Sequence, residues 1–240
     1  MEITTHLADP FDHWIIDGFL PEDQATALSL EFPASDDPDW FIYDSPLEKK
    51  RAMNNWYRFP PATYKFLSYL VSRDFTNFLS ALTSTPNITA DTGLHGGGWH
   101  MQGRGDMLNV HLDYCLHPKL GLQRKFNLIY YLTPEWNNAW GGNLEFWSHD
   151  PIKDSPLVQQ TTIENKFNKA VIFDASQDSW HGFYDPIGCP DGQYRKSIAS
   201  YYLIDPKPGI SDRKRARYSP SPQQIDDVTV KNLIEQRVKI

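Results

Sequence analysis

From Pro86 onward the chain breaks into short β-forming runs separated by Gly, Pro and Asn, and this rhythm restricts the folds open to it. The runs span residues 106–115, 126–132, 142–147, 159–163, 170–174, 179–184 and 194–203. Strands at such intervals, bounded by turn residues, point to a sandwich or barrel. No helical segment separates them, which disfavours a parallel doubly wound sheet. The expectation is a mainly β fold, a jelly roll of about eight strands. A length of 240 residues favours one domain. Aromatic residues, at 14%, suit the filling of space between sheets.

The segment ahead of this region reads as support. Residues 11–20 suggest a short strand and a turn at Asp17-Gly18. Pro21-Glu22-Asp23 then suits a helix first turn, where proline is tolerated and acidic side chains meet the positive end of the dipole. Residues 61–82 carry the strongest helical periodicity, with Tyr64, Leu67, Val71, Phe75, Phe78, Leu79 and Leu82 recurring at threes and fours. Ser72-Arg73-Asp74 interrupts this stripe and divides it into two helices. Residues 34–55 lack periodicity and read as a long loop with one strand near Trp40–Tyr43. The expected organisation is a single domain over 1–204, with strand and helix support in 1–90 and a jelly-roll core in 91–204. Residues 205–240 form a basic Pro/Ser-containing tail with a short C-terminal helix. In that tail Lys207, Arg213, Lys214, Arg215 and Arg217 face only Asp212. A solvated linker is the plain reading, and nucleic-acid binding is the minority one.

The formal net charge of -7 argues against a whole-surface nucleic-acid binder. Two cysteines, Cys115 and Cys189, exclude a disulfide-dense scaffold and suit a reducing compartment. The first residues lack a basic and an apolar region of signal-peptide type, and no apolar run is long enough to span a bilayer. A cytoplasmic protein with no membrane partner is expected; its oligomeric state is left open.

The chemistry-bearing stretch is Asn109-Val110-His111-Leu112-Asp113-Tyr114. In a strand, side chains alternate faces, so His111 and Asp113 point the same way. An imidazole and a carboxylate so placed can share one divalent metal, and a second histidine would complete a facial triad with open coordination positions. His181, within Trp180-His181-Gly182, supplies that histidine if an antiparallel sheet brings its strand back to the first. In Tyr194–Tyr201, Arg195, Ser197 and Ala199 share one face. An arginine pointing into a β core is costly unless paired with an anion, and its planar fork matches a carboxylate.

Together these phrases resemble the 2-oxoglutarate- and Fe(II)-dependent dioxygenases, most closely their prolyl-4-hydroxylase-like branch. The resemblance covers about residues 95–204. It rests on residues 110–113, Asn127-Leu128-Ile129-Tyr130-Tyr131-Leu132, Trp136 followed by Gly141-Gly142-Asn143-Leu144, Phe167–Phe173, Trp180-His181-Gly182 and Arg195-Lys196-Ser197. It implies a double-stranded β-helix in which His111, Asp113 and His181 ligate iron. It also implies that Arg195 pairs with the distal carboxylate of 2-oxoglutarate, assisted by Ser197, Tyr131 and Asn127. The cofactors would be Fe(II), 2-oxoglutarate and O2, with ascorbate as an accessory reductant. The reaction would be hydroxylation of an unactivated C–H bond, on a prolyl residue of a protein or peptide, or alternatively on a free amino acid or other small molecule. Two departures from the family stand out: Met101 falls near a position where relatives often carry tyrosine, and residues 185–193 lengthen the connection from His181 to Arg195.

Two readings from other classes compete. One is a jelly-roll binding module without catalysis, and the other places zinc in the same triad as a hydrolase or isomerase. His100, after Gly96-Gly97-Gly98-Trp99, could approach the site, since glycines permit close backbone approach but also simply form loops. His95, His117 and His149 read as structural, Trp136, Trp140 and Trp147 as packing, and Cys115 as packing beside the ligand strand.

Overall fold

The structure, a computed structural model, describes residues 5–175 and 178–239. A short N-terminal ladder, β1 (Thr5–Leu7) and β2 (His13–Asp17), leads into α1 (Glu22–Leu30). A hairpin follows, β3 (Phe41–Ser45) and β4 (Glu48–Met53), then α2 (Pro61–Leu70) and α3 (Arg73–Thr83). Ser72 divides the last two helices and caps α3, its hydroxyl accepting from the Phe75 N–H at 3.2 Å. The remaining strands are β5 (Thr89–Ala90), β6 (Gly98–Gln102), β7 (Met107–Leu112), β8 (Gln123–Tyr131), β9 (Leu144–Asp150), β10 (Ser155–Ile163), β11 (Lys169–Asp174), β12 (Trp180–Phe183), β13 (Arg195–Ile204) and β14 (Arg217–Tyr218). α4 (Val228–Lys239) ends the described chain.

All fourteen strands among the described residues join in one curled antiparallel sheet. Its path runs β1-β2-β11-β8-β13-β6-β4-β7-β12-β9-β10. The curl brings the two halves of a jelly roll face to face. β3 occupies one edge of β4, and the other edge pairs with β7 at Glu48 and Lys49 and with β6 from Arg51 to Met53, so the hairpin joins the halves. The expected mainly β jelly roll with flanking helices is therefore present, as a single bent sheet rather than two separate ones.

Period-two alternation assigns each face. On β8, Phe126, Leu128 and Tyr130 enter the principal core beneath α1–α3, as do Ile198, Tyr202 and Ile204 of β13. From the opposite face Asn127, Ile129, Ser197, Ala199 and Tyr201 line an internal cavity. Helices thus cover one side of the sheet, and its concave side is left for chemistry.

The structure departs from the sequence reading in four places. Residues 34–55 hold the whole β3–β4 hairpin, not a loop with one strand. The glycine run ends in strand β6, which starts at Gly98, and Met101 of that strand is buried in the principal core. Residues 185–193 do more than lengthen a hairpin, because Ile187 and Cys189 pack with Trp136 and Phe183 in a separate small core. The basic tail is not a free linker: residues 213–219 run along β7, and Val230 of α4 packs on Leu47 and Tyr218.

Candidate active site

β7 and β12 pair with His181 directly opposite His111, and their ring centroids lie 4.4 Å apart. The approach depends on Gly182, whose φ is +148° and whose missing Cβ would stand 2.8 Å from the carbonyl oxygens of Leu108 and Asn109. Only glycine fits that position without displacing β7.

The two imidazoles are oriented alike. Nδ1 of His111 lies 2.9 Å from the carbonyl of Asn109, and Nδ1 of His181 lies 2.8 Å from that of Ser179. Donation from Nδ1–H leaves each Nε2 lone pair free, the arrangement usual in metal-ligating histidines. Both Nε2 atoms face Asp113, at 3.8 Å from Oδ1 for His111 and 3.5 Å from Oδ2 for His181. One ligand atom from each of the three residues lies within 4.8 Å of the others. Burial lowers the pKa of both histidines, that of His181 to about 3, so both offer neutral imidazole at ordinary pH. Burial opposes ionisation of Asp113, but Arg124, His181, His111 and the Asn127 amide hold its carboxyl well below the ordinary range. Two neutral nitrogens and one carboxylate form a donor set suited to a divalent first-row metal.

Arg124 is the functional residue that the sequence reading missed. It is buried, forms an ion pair with Asp113 (Nη2 to Oδ2, 3.2 Å) and donates from Nε to Asn127 Oδ1 at 2.7 Å. Asn127 returns its amide to the same Asp113 Oδ2 at 2.7 Å. The guanidinium also lies 3.5 Å from the Tyr201 ring centroid and 4.6 Å from that of Tyr114. Oδ2 of Asp113 is thereby held by one hydrogen bond and one ion pair, and Oδ1 faces His111. Asn127, expected at a cosubstrate carboxylate, sits instead on the metal-side aspartate.

Arg195 lies buried at the start of β13. Its Nε donates to the Gly142 carbonyl at 2.8 Å, Nη1 to Gln102 Oε1 at 2.9 Å and Nη2 to the Tyr131 hydroxyl at 3.4 Å. All three partners are neutral, and no carboxylate pairs with this guanidinium among the described residues. Ser197, buried two residues on, faces the same cavity, which has a volume of about 290 Å³ and also contains the triad. His100 lines the cavity as well, with Nε2 at 3.0 Å from the Gly96 carbonyl.

A second charged group closes the metal side. Glu48 is buried and pairs with Lys50 at 2.8 Å, while its other oxygen accepts from the Tyr218 hydroxyl at 2.8 Å. The Tyr218 ring stacks on His111, with centroids 5.1 Å apart and planes 28° apart.

Residues 97–203 match the 2OG-Fe(II) oxygenase superfamily model and form a 2OG-Fe(II) oxygenase domain. Prolyl 3-hydroxylase OGFOD1 of Xenopus laevis is 26% identical over 202 residues, which cover 80% of this chain and 35% of that protein. The chain thus spans about a third of the curated relative's length. Among solved structures, a prolyl-4-hydroxylase of Pseudomonas putida superposes with a TM-score of 0.54 at 16% identity, covering 81% of this chain and 93% of that one. HygX of Streptomyces hygroscopicus, solved with nickel, 2-oxoglutarate and hygromycin B bound, gives a TM-score of 0.52 at 11% identity and covers 80% and 82% of the two chains. At these identities the likeness speaks for the fold.

Proposed function

We propose that this chain, built on a 2OG-Fe(II) oxygenase domain, hydroxylates a prolyl residue of a protein or peptide using Fe(II), 2-oxoglutarate and O2. The observation that carries the reading is the pairing, in one cavity, of a convergent two-histidine, one-carboxylate set with a buried arginine that has no carboxylate partner. A buried unpaired cation is strongly unfavourable, and one end of a dicarboxylate relieves it. The neutral Gln102, Tyr131 and Gly142 groups hold the fork of Arg195 without satisfying its charge. The residues present therefore fit both iron and cosubstrate.

His111, Asp113 and His181 would hold the metal, and Arg195 with the Tyr131 hydroxyl would hold the distal carboxylate, with Ser197 beside it. Bound together, metal, cosubstrate and O2 supply the oxidising power to convert C–H to C–OH, while the cosubstrate is released as succinate and CO2. The chain's own part is positional. Asn127 and Arg124 fix Asp113, the backbone carbonyls of Asn109 and Ser179 fix the imidazole tautomers, and Ile129, Leu144, Phe183 and Ala199 supply apolar wall between the charged groups. A dry, oriented site of this kind strengthens each electrostatic contact within it.

Prolyl chemistry is supported by the likeness to a prolyl 3-hydroxylase, and the small cavity is also compatible with a free amino acid. The competing zinc hydrolase leaves Arg195 without a task, and the silent binding module leaves the whole donor set without one. Both cysteines are buried and unpaired, which supports a cytoplasmic setting. No helix among the described residues is long and apolar enough to cross a membrane.

The test is a succinate-release screen over prolyl peptides and free amino acids, followed by mass spectrometry. A one-oxygen mass gain on a prolyl peptide is the expected result. A gain on free amino acids alone would redirect the substrate, and no succinate from folded, Fe(II)-loaded protein would refute the oxygenase reading.

A further inference from the structure

The cavity is strongly cationic in a chain whose net charge is -7. Lys50, Arg124, Arg195, Lys214, Arg215 and Arg237 line it against only Glu48 and Asp113, so six positive groups face two negative ones and four are in excess. This matters more once the proposed metal and cosubstrate are considered. A ferrous dication and a 2-oxoglutarate dianion cancel, so loading the site leaves the excess intact.

The surplus can be located. Lys50 pairs with Glu48, Arg124 pairs with Asp113, and Arg195 faces the cosubstrate position. That leaves Lys214, Arg215 and Arg237, none of which has an ion-pair partner among the described residues. All three belong to the C-terminal segment. Lys214 and Arg215 are exposed at the cavity, whereas Arg237 is half-buried 5.1 Å from the Tyr218 ring centroid. The Nε of Arg237 is shielded from solvent and has no hydrogen-bond partner.

These cations are held at the cavity by the fold. Ahead of them, the Arg213 carbonyl accepts from the Cys115 N–H at 2.7 Å, and the Arg213 side chain donates to the Asp113 carbonyl at 2.7 and 3.0 Å. Behind them, Arg217 and Tyr218 pair with Leu112 and His111, and Ser219 N–H donates to the Val110 carbonyl at 2.8 Å. Residues 214–216 thus form an arch pinned at both feet beside His111 and Asp113. Arg217, the next cation along, is already paired with Asp154.

The geometry points to an acidic peptide as the substrate: the arch of Lys214 and Arg215, backed by Arg237, reads Asp, Glu or phosphorylated side chains flanking the oxidised prolyl residue. This rests on the oxygenase reading above and specifies its substrate class. Lys214 and Arg215 are exposed rather than enclosed, which suits contact with the flanks of a chain crossing the opening. Charge of this kind raises association and specificity and is weakened by salt.

The experiment uses the full chain loaded with Fe(II) and 2-oxoglutarate. Peptides of one length carry a single proline flanked by acidic, neutral or basic residues, with free L-proline in parallel. Succinate release and the one-oxygen mass gain are both measured. The acidic peptide should exceed the neutral one in kcat/KM by roughly tenfold, with the basic peptide lower still and the difference shrinking with added salt. Lys214→Glu with Arg215→Glu, surface changes whose fold is checked by circular dichroism, should abolish or reverse that order. Equal turnover of all three peptides, preference for the basic one, or oxidation of free proline alone would overturn the proposal. If succinate forms but no peptide is oxidised, the acidic-peptide proposal fails and the oxygenase reading stands. If no succinate forms under any condition, the oxygenase reading fails first.

Discussion

Asp113 is constrained from several sides, since Asn127 donates to its Oδ2, Arg124 forms an ion pair with the same oxygen, and two histidines face it. Partners behind a ligand typically alter metal affinity by 10–100-fold. Asn127→Leu, which keeps the branched shape and removes both hydrogen bonds, should therefore weaken Mn(II) binding by about that factor, as read by calorimetric titration. Unchanged affinity would mean that Asp113 needs no such support. Arg195→Ala should raise the KM for 2-oxoglutarate by about two orders of magnitude, consistent with ~3 kcal/mol for truncating one member of a buried charge pair. A KM within threefold of wild type would remove Arg195 from the cosubstrate site. Strand alternation puts His111 with Asp113, and Arg195 with Ser197, on shared faces, whereas Tyr131 is singled out only by the family resemblance. Neither signal marks Arg124. It has the same parity as Phe126, which enters the core, but a bulge at Lys125 separates the pairs Phe126–Tyr202 and Arg124–Leu203. The extra residue moves Arg124 to the cavity face, and strict alternation assigns it to the wrong side.

At the scale of elements, the β3–β4 hairpin decides how the sheet closes. β4 reads Glu-Lys-Lys-Arg-Ala-Met, a charged run poor in strand formers, so local propensity gives little sign of a strand. It is a strand because its charges have partners: Glu48 meets Lys50 and Tyr218, and Arg51 meets Asp106. Glu48→Ala leaves Lys50 without a counter-charge and Tyr218 without its acceptor. Breaking a buried pair in this way costs roughly 3–5 kcal/mol, and the loss should appear as a lower urea midpoint. An unchanged midpoint would show that the pair contributes nothing to closure. The helices were easier to read, since the periodic stripe over 61–82 and the break at Ser72 are local signals, and both occur where expected.

Across the whole molecule, the C-terminal segment belongs to the site. Its basic composition suggests a solvated tail, and composition cannot reveal that its carbonyls and N–H groups complete the edge of β7. Leu47, Tyr218 and Val230 form a buried cluster that exists only with this segment in place. Removing residues 211–240 takes away Tyr218 and Val230 and exposes Leu47 and the outer face of His111. Burial of large apolar side chains contributes about 1.5–3 kcal/mol each, so the shortened chain should lose at least ~3 kcal/mol of unfolding free energy. A chemical-denaturation curve superposing on that of the full chain would show the docking to be incidental.

The central claim is that His111, Asp113 and His181 hold a metal in the same cavity where Arg195 holds a dicarboxylate. Anaerobic addition of 2-oxoglutarate to the Fe(II)-loaded protein tests this most directly, because chelation of the metal by the keto acid produces a visible charge-transfer absorption. The expected result is a band that appears on mixing, is absent in His111→Ala and Asp113→Ala, and needs far more 2-oxoglutarate in Arg195→Ala. A folded, iron-loaded wild-type protein that gives no band, or a band that survives loss of Asp113, would contradict it.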